Sequence, residues 1–297
     1  METLLITGAG PRGVTGKLIK EHFEGIYNLL CPSSTELDLT NDDAVFRYFE
    51  CNKVDYVIHC ATFRPTSVQE GHLVDEELES NLRMFCSLAA QSSRYKKMVY
   101  FGSGAEYDKS KSIENVTEED FGRSIPKNKY GLGKYIMNQI ARKSSNIYNF
   151  RLFGTVNQYE RYTKNVISNL CVKAILGIPM QLRQDCRFSF VDINDVIPVL
   201  DYALSHELKY HDYNFVMDDS YLLSEIASII TRLANRDDIV FFSNDGLNLE
   251  YTASNQRIKD EFNPILTPID KAIERVYNYY NSIKNSIDVT EIDSRWK

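Results

Sequence analysis

The first half of the chain alternates short, almost uninterrupted apolar runs with longer stretches in which apolar residues recur every three or four positions. The short runs predict strands buried on both faces, and the longer stretches predict amphipathic helices packed against those strands. The predicted strands are Leu4–Thr7, Tyr27–Leu30, Tyr56–His59, Met98–Phe101 and Tyr148–Leu152, and the predicted helices are Thr15–Phe23, Asp42–Cys51, Leu78–Ser92 and Lys129–Lys143. This alternation predicts an α/β fold with a doubly wound parallel sheet.

The pattern becomes less regular after about residue 155. Helical spacing returns in Lys164–Leu176, Asp195–Ser205, Leu222–Leu233 and Ile269–Tyr280, with a short strand at Ser189–Val191. We expect residues 1–160 to form the sheet domain, with segments near 190–205 returning to it. Residues 161–297 then form mainly a smaller, interleaved domain. The polar stretch 108–124 is interpreted as a surface loop.

A glycine-rich turn joins the first predicted strand to the first predicted helix. Glycine allows the backbone to approach a pyrophosphate closely, and the N-terminus of the following helix offers free N–H groups to it. This placement predicts a Rossmann-like dinucleotide-binding domain in residues 1–160, and residues 161–297 then supply most of the substrate-binding domain. The predicted cofactor contacts in the turn are Gly8, Gly10, Arg12, Gly13, Val14 and Gly16.

The end of the second predicted strand bears on the choice of nicotinamide cofactor. An enzyme that uses NAD usually places an acid there to bind the ribose 2′-hydroxyl, but Ser33 and Ser34 follow this strand instead. Arg12 in the glycine turn would pair with a 2′-phosphate, assisted by the two serines. The sequence therefore favours NADP(H), and NAD(H) stays open because Glu36 lies just beyond the turn.

A tyrosine and a lysine stand one helical turn apart in the helix predicted over 129–143. Tyr130 and Lys134 have i, i+4 spacing, so their side chains share a face. A nearby ammonium lowers the pKa of a phenol, which lets the tyrosine exchange a proton with an alcohol or ketone. Ser103 follows the fourth predicted strand, at the edge where doubly wound sheets bind ligands. We predict that Ser103, Tyr130 and Lys134 are the catalytic residues of an oxidoreductase.

The glycine turn, the serine at a strand end and the Tyr-x-x-x-Lys pair, in this order, resemble the extended short-chain dehydrogenase/reductase family, which comprises nucleotide-sugar epimerases, dehydratases and reductases. The resemblance extends from Leu4 to about Val196. Within the family, the stretches 10–16 and 36–61 look most like GDP-fucose synthases. The fold and activity that the resemblance implies are a Rossmann-like domain and NAD(P)-dependent chemistry on a nucleotide-linked sugar.

The resemblance also implies roles for individual residues. Further cofactor contacts are implied for Asp38, Leu39, Cys60 and Ala61, and also for the catalytic pair Tyr130 and Lys134. In relatives, the two long helices predicted over 78–92 and 129–143 form a dimer contact, so a homodimer is implied.

Several positions depart from the patterns of the subfamilies. Sugar 4,6-dehydratases carry an acidic pair where this chain has Gly104 and Ala105, and GDP-fucose synthases use a Cys and a His where it has Ala105 and Asn165. Gly154 replaces an Asn that usually contacts the diphosphate. Dehydration and double epimerisation by these routes are therefore not expected, and only the groups for hydride and proton transfer remain.

These observations favour reduction of a 4-keto group on a nucleotide-linked sugar. Three alternatives stay open: a 4-epimerase that retains NAD, a cofactor-binding regulator without activity, and a reductase of carbonyl compounds that are not linked to a nucleotide. Candidate substrate contacts are Arg64, Gly104, Ala105, Asn165 and Arg187. The alternative interpretation of Arg64 is a solvated loop residue, and that of Arg187 is a surface ion pair.

Composition narrows the class of protein further. The formal net charge of −7 does not fit a nucleic-acid-binding protein with a basic face. The six cysteines are scattered without metal-ligand spacing, which is typical of free thiols in a reducing compartment, so we expect no metal site. The start of the chain lacks a signal-peptide pattern, and no apolar run is long enough to span a membrane. We therefore expect a cytoplasmic protein.

Overall fold

The computed structural model describes residues 1–10, 13–63, 72–236 and 241–292, which form two larger sheets, one two-stranded sheet and surrounding helices. The strands are β1 (Thr3–Thr7), β2 (Asn28–Leu30), β3 (Tyr56–His59), β4 (Lys97–Ser103), β5 (Ile113–Val116), β6 (Ile147–Leu152), β7 (Gly154–Val156), β8 (Gln181–Leu182), β9 (Arg187–Asp192), β10 (Asp212–Phe215), β11 (Ser220–Leu222), β12 (Phe241–Phe242) and β13 (Tyr251–Ala253). The α-helices are α1 (Val14–Phe23), α2 (Asp42–Cys51), α3 (His72–Ala89), α4 (Lys129–Ala141), α5 (Val166–Ile175), α6 (Ile193–Ser205), α7 (Leu223–Leu233), α8 (Gln256–Phe262) and α9 (Ile269–Ser282).

The main sheet has six parallel strands in the order β2-β1-β3-β4-β6-β10. The predicted doubly wound α/β fold is therefore confirmed, and each predicted strand of the first half is present to within a residue or two at each end. The strand order reverses between β1 and β3. This reversal opens a crevice at the carboxyl ends of these strands, which is where such sheets bind ligands.

Alternate side chains of the strands enter two separate cores, one on each face of the sheet. Leu4 and Ile6 pack with residues of α1 and α6, whereas Leu5 packs with residues of α2, α3 and α4. This alternation follows from the two-residue period of a strand. Because both faces are covered, the strands need nearly continuous apolar sequence, which is the pattern that made them recognisable.

The second half of the chain contributes strands to the main sheet and to a second, smaller sheet. Its strand β10 pairs with β6 in the main sheet, and α6 packs against that sheet. A smaller sheet has the order β11-β9-β13-β5, to which β7 adds by pairing with β9, and β8 pairs with β12 in a separate two-stranded sheet. Helices α5, α7 and α9 enclose a further apolar core. The domain division at residue 160 stays a prediction.

One expectation from the sequence is wrong. The stretch 108–124, interpreted as a surface loop, contains β5 and a 3-10 helix at Glu118–Asp120. Strand β5 pairs in parallel with β13, more than a hundred residues further along the chain. A strand whose partner is so distant in sequence carries no local turn signal, and its polar residues Glu114 and Asn115 conceal the pattern.

Candidate active site

The glycine turn after β1 brings the backbone of three segments into close contact. Gly8 has φ +73°, and a Cβ there would lie 2.6 Å from the Ala61 nitrogen. A Cβ on Gly13 would collide with the Gly8 carbonyl oxygen, whereas a Cβ on Gly10 would meet no atom within 4 Å. Close packing of the backbone therefore explains why positions 8 and 13 are glycine, while Gly10 borders open space. An absent side chain beside open space leaves room for a ligand to approach the backbone.

The N-terminus of α1 follows this turn directly. Gly13 is its N-cap and makes no side-chain cap bond, and the first turn carries no acidic residue. Gly16 is buried against the turn, and Val14 begins the helix. The first N–H groups of the helix are therefore available to an anion, and the helix dipole favours it. These features fit the pyrophosphate of a dinucleotide. Arg12 lies outside the described residues.

The segment after β2 is held by local hydrogen bonds. The Ser33 amide and hydroxyl both donate to Glu36 Oε2 at 2.8 Å, and these bonds lower the pKa of Glu36. Ser34 is exposed beside this turn. Asp38 accepts from the amide and hydroxyl of Thr40 at 2.9 and 2.7 Å. The Ser33 hydroxyl is thus already engaged with a carboxylate.

Leu39 and the two residues after β3 are further predicted cofactor contacts. The Leu39 side chain is buried in the core on the α2 side of the sheet, so any contact with adenine would come from its backbone. Cys60 and Ala61 follow β3 and are partly exposed. The Cys60 amide donates to the Thr7 carbonyl at 3.1 Å. This bond ties the end of β3 to the end of β1, beside the glycine turn.

His59 is a buried histidine at this edge, with Nδ1 2.8 Å from the Thr7 hydroxyl. Burial, with a smaller effect from the Lys134 ammonium, lowers its pKa from 6.5 to about 3. Between those two pH values the unfolded chain binds a proton here that the folded chain does not bind. The free energy of unfolding should therefore fall as the pH falls through this range, by up to about 1.4 kcal/mol per pH unit from this group.

The histidine prediction is tested by urea unfolding of the wild type and His59→Gln at about pH 7 and about pH 5. We expect the wild type to lose more stability between the two conditions than the variant does. Equal losses would show that His59 is not kept neutral by the fold.

Ser103 ends β4 and begins the 3-10 helix Gly104–Tyr107. It is buried, its Oγ accepts from the Ala105 amide at 3.2 Å, and its own amide donates to Glu106 Oε1 at 3.0 Å. These two bonds form a capping box, which fixes the backbone on both sides of the serine.

Tyr130 and Lys134 lie on α4, which packs against β4 and against the 3-10 helix after Ser103. Lys134 is buried, and its ammonium donates to the Phe101 carbonyl at 2.7 Å. Its charge also acts on His59 and Cys60 at the end of β3. Lys134 therefore lies between the ends of β3 and β4, while the partly exposed Tyr130 lies one turn earlier on the helix.

Two residues of this site were missed by the sequence reasoning. Tyr251 on β13 is buried, its hydroxyl lies beside Gly104, and the Ser103 and Tyr130 side chains are both close enough to influence the pKa of its phenol. Lys109 places its ammonium 4.3 Å from the centre of the Tyr251 ring, and it also interacts with Tyr130. Tyr251 thus joins Ser103 and Tyr130 in one site. No local signal marks this tyrosine among the nineteen in the chain.

The predicted substrate contacts lie in different environments. Gly104 and Ala105 are buried beside Ser103. Asn165 is the N-cap of α5 and makes no side-chain cap bond. Arg187 begins β9 and donates to the Ser220 carbonyl at 3.0 Å. Arg64 lies outside the described residues.

Gly154 has a physical explanation. A Cβ at this position would lie 2.6 Å from the Phe190 ring and 3.1 Å from the Ser189 carbonyl oxygen. The phenyl ring therefore occupies the space that the usual Asn side chain would need. Packing therefore excludes a diphosphate contact from an Asn side chain at this position.

A buried network of charged and polar groups lies next to Ser103. The fully buried Arg151 guanidinium donates to Glu106, Tyr107, Asn214 and Asp212, each at 2.8 Å. Glu106 in turn accepts from the Ser103 amide. Glu106 therefore has a structural role: it connects the Arg151 guanidinium to the backbone of Ser103.

Within residues 1–10, 13–63, 72–236 and 241–292, no group of three or more His, Cys, Asp or Glu side chains is arranged to hold a metal ion. In the same ranges, no helix is both long and apolar enough to cross a membrane.

Comparisons with known proteins agree with this fold. The chain is 21% identical to a GDP-L-colitose synthase from Yersinia pseudotuberculosis, over 95% of this chain and 99% of the relative. A GDP-mannoheptose C4 reductase from Campylobacter jejuni with NADP bound superposes with a TM-score of 0.80 at 18% identity, covering 94% of this chain and 98% of the other. A GDP-L-fucose synthetase from Naegleria fowleri bound to NADP gives 0.79 at 18% identity, covering 96% and 95%.

One protein-family model matches most of the chain. Residues 5–215 match the model of the NAD dependent epimerase/dehydratase family. This region includes the glycine turn, Ser103, Tyr130 and Lys134, as well as the last strand of the main sheet. The chain therefore belongs to the NAD dependent epimerase/dehydratase family.

Proposed function

We propose that this protein is an NAD(P)-dependent oxidoreductase that reduces the 4-keto group of a nucleotide-linked sugar. The observation that carries the proposal is that Ser103 and Tyr130 both lie close to the buried phenol of Tyr251. The Lys134 ammonium bonds to the backbone near the end of β4. The glycine turn and the uncapped helix α1 lie at the same edge of the sheet. The relatives that act on GDP-linked sugars support the choice of substrate class.

Three side chains have separate roles in the proposed reduction. Ser103 donates a hydrogen bond to the substrate carbonyl oxygen and orients it, and Tyr130 donates the proton that the oxygen takes up. The positive charge of Lys134 stabilises the phenolate that remains. The nicotinamide cofactor supplies the hydride when it is bound. We assign Gly8, Gly10, Gly13, Val14 and Gly16 to its pyrophosphate.

We propose NADP(H) as the preferred cofactor, with NAD(H) as the alternative. The two superposed reductase-type structures with NADP bound support this preference. Ser34 is exposed just after β2, where a 2′-phosphate would lie, and we propose that Arg12 in the glycine turn pairs with that phosphate. Glu36 instead favours NAD(H), because its ionised carboxylate beside Ser33 would repel the 2′-phosphate of NADP(H).

The site also limits the chemistry that we propose. Ala105 and Asn165 offer no acid and base for epimerisation next to the keto group, and Gly104 offers no carboxylate for dehydration. We therefore propose reduction alone. We further propose that the protein is a cytoplasmic homodimer that uses α3 and α4, which pack together along one side of the sheet, and that Arg64 and Arg187 bind substrate.

The proposed reduction is tested with purified protein, NADPH or NADH, and GDP-, UDP- and dTDP-linked 4-keto-6-deoxyhexoses. We expect loss of NADPH absorbance with a GDP-linked substrate, thermal stabilisation by NADPH alone, and little turnover of the Ser103→Ala variant. Conversion of a nucleotide sugar without net consumption of cofactor would indicate the 4-epimerase. Stabilisation by cofactor with no turnover of any substrate would indicate the regulator without activity.

A further inference from the structure

Lys109 is an exposed lysine at the candidate active site, two residues after the 3-10 helix that Ser103 begins. Its ammonium lies over the ring of Tyr251, 4.3 Å from the ring centre. The hydroxyl of the same ring lies 2.6 Å from the position that a Cβ on Gly104 would occupy. One tyrosine ring therefore separates this ammonium from the end of the strand that carries Ser103.

The Tyr251 ring is a fixed platform for the ammonium. Tyr251 is buried, and the Phe153 and Phe188 rings pack with their centres 4.8 and 5.3 Å from its own. Tyr251 also pairs with Phe188 where β13 meets β9. A cation over the face of an aromatic ring is attracted by the ring, which favours one placement of a long and otherwise flexible side chain.

The ammonium of Lys109 has no counter-charge. Among the described residues, neither a carboxylate nor a hydrogen-bond acceptor is paired with it. The titratable groups close enough to influence its pKa are the Tyr130 phenol and the Cys186 thiol, and the loss of hydration lowers that pKa. An ammonium that loses hydration without gaining an anion is costly, so its presence beside a catalytic tyrosine indicates an anionic ligand.

The nucleotide-linked ketosugar that we propose as substrate carries a suitable anion. Its C4 carbonyl would lie at Ser103, and its diphosphate is attached at C1, across the sugar ring from C4. The Lys109 ammonium is likewise one ring away from the strand end at Ser103. Arg187, a predicted substrate contact, already donates to the Ser220 carbonyl at 3.0 Å. Lys109 therefore offers positive charge that the protein itself does not use.

We propose that Lys109 binds the diphosphate of the nucleotide-linked substrate, at the other end of the sugar from the carbonyl on which Ser103 and Tyr130 act. The inference rests on the proposed function and adds a residue that determines specificity, because the ammonium favours sugars that carry a phosphate over free sugars. The diphosphate keeps its charge throughout the reaction. Its bond to the ammonium therefore contributes to substrate affinity and not to the rate of the chemical step.

Lys109→Gln tests this inference, because it removes the charge and retains a long polar side chain. We expect KM for the nucleotide-linked ketosugar to rise about 10-fold with kcat nearly unchanged, as for any contact made equally in the ground state and the transition state. Lys109→Arg keeps a cation that can lie over the ring, so its KM should stay close to that of the wild type.

Binding without turnover gives a second measurement. GDP, UDP and dTDP are titrated into the NADPH complex, and the diphosphate that binds the wild type most tightly is compared with its nucleoside. In Lys109→Gln the Kd of the diphosphate should rise about 10-fold, while the Kd of the nucleoside should not change. The difference between the two proteins should decrease at high salt, because added ions screen a contact between charges at an exposed residue.

The matched control is Lys111→Gln, which removes the same charge two residues further along the chain. Lys111 is exposed and donates to the Ser124 hydroxyl at 3.1 Å. Its KM and its Kd for the diphosphate should equal those of the wild type. Thermal melts should show that all three lysine variants are folded.

The outcomes separate this inference from the proposed function. Unchanged KM and diphosphate affinity in Lys109→Gln would overturn the inference and leave the reductase in place. A fall in kcat with both affinities unchanged would also overturn it, because Lys109 would then act on the proton transfer at Tyr130. A wild type that binds a diphosphate through Lys109 but reduces no ketosugar would overturn the reductase and leave the diphosphate site. A wild type that binds none of the three diphosphates would overturn the role of Lys109.

Discussion

Tyr130→Phe should lower kcat for ketosugar reduction by about 1,000-fold, because general acid catalysis contributes roughly this much. The variant keeps the ring on α4 and loses only the proton donor. Ser103 and Lys134 remain in place, since Lys134 is held by the Phe101 carbonyl and not by the phenol. We therefore expect NADPH binding and the melting temperature to stay close to those of the wild type.

The measurement is the rate of NADPH oxidation at saturating ketosugar, with cofactor affinity from a separate titration. Tyr135→Phe is the matched control, because Tyr135 lies on the same helix and its ring stacks on Phe121 at 4.7 Å. Its hydroxyl only accepts from the Gln139 side chain at 3.0 Å. A Tyr130→Phe enzyme as fast as this control would refute Tyr130 as the proton donor.

Arg151→Met should lower the free energy of unfolding by about 3 to 5 kcal/mol, because it leaves buried carboxylates without their partner. Arg151 lies on β6, is fully buried, and bonds to Glu106 and Asp212 at 2.8 Å each. Asp212 retains contacts with Arg142 and Arg257. Glu106 retains only the Ser103 amide and the weaker Asn149 contacts, so the damage should concentrate beneath Ser103.

Urea unfolding measures this loss, and Arg83→Met serves as the control. Arg83 pairs with Glu79 at 2.8 Å on the exposed face of α3, where an ion pair contributes little to stability. A soluble Arg151→Met protein should also show lower kcat, since Glu106 positions the Ser103 backbone. Wild-type stability for Arg151→Met would show that the surrounding polar groups rearrange to satisfy the carboxylates.

The departures from the family pattern have packing explanations. Gly104 leaves room for the Tyr251 hydroxyl, and Gly154 leaves room for the Phe190 ring. Both replaced side chains would have come from strand ends at the candidate site. At these two positions aromatic residues occupy the space that a polar side chain would need.

The sequence alone determined the elements whose signal is local. Buried parallel strands need continuous apolar runs, a pyrophosphate turn needs glycine between strand and helix, and a Tyr–Lys pair needs i, i+4 spacing. Each of these signals spans fewer than about twenty residues. For this reason β1, β3, β4 and β6, the glycine turn, Ser103, Tyr130 and Lys134 were recognisable without coordinates.

Only the tertiary structure decided the features that depend on distant partners. Strand β10 alternates polar and apolar residues because Asp212 and Asn214 bond to the buried Arg151, and strands β5 and β13 pair across more than a hundred residues. Tyr251 comes to lie beside Gly104 through that second sheet. A contact between residues so far apart leaves no periodic trace in either segment, and the chain must fold before one side chain can position another.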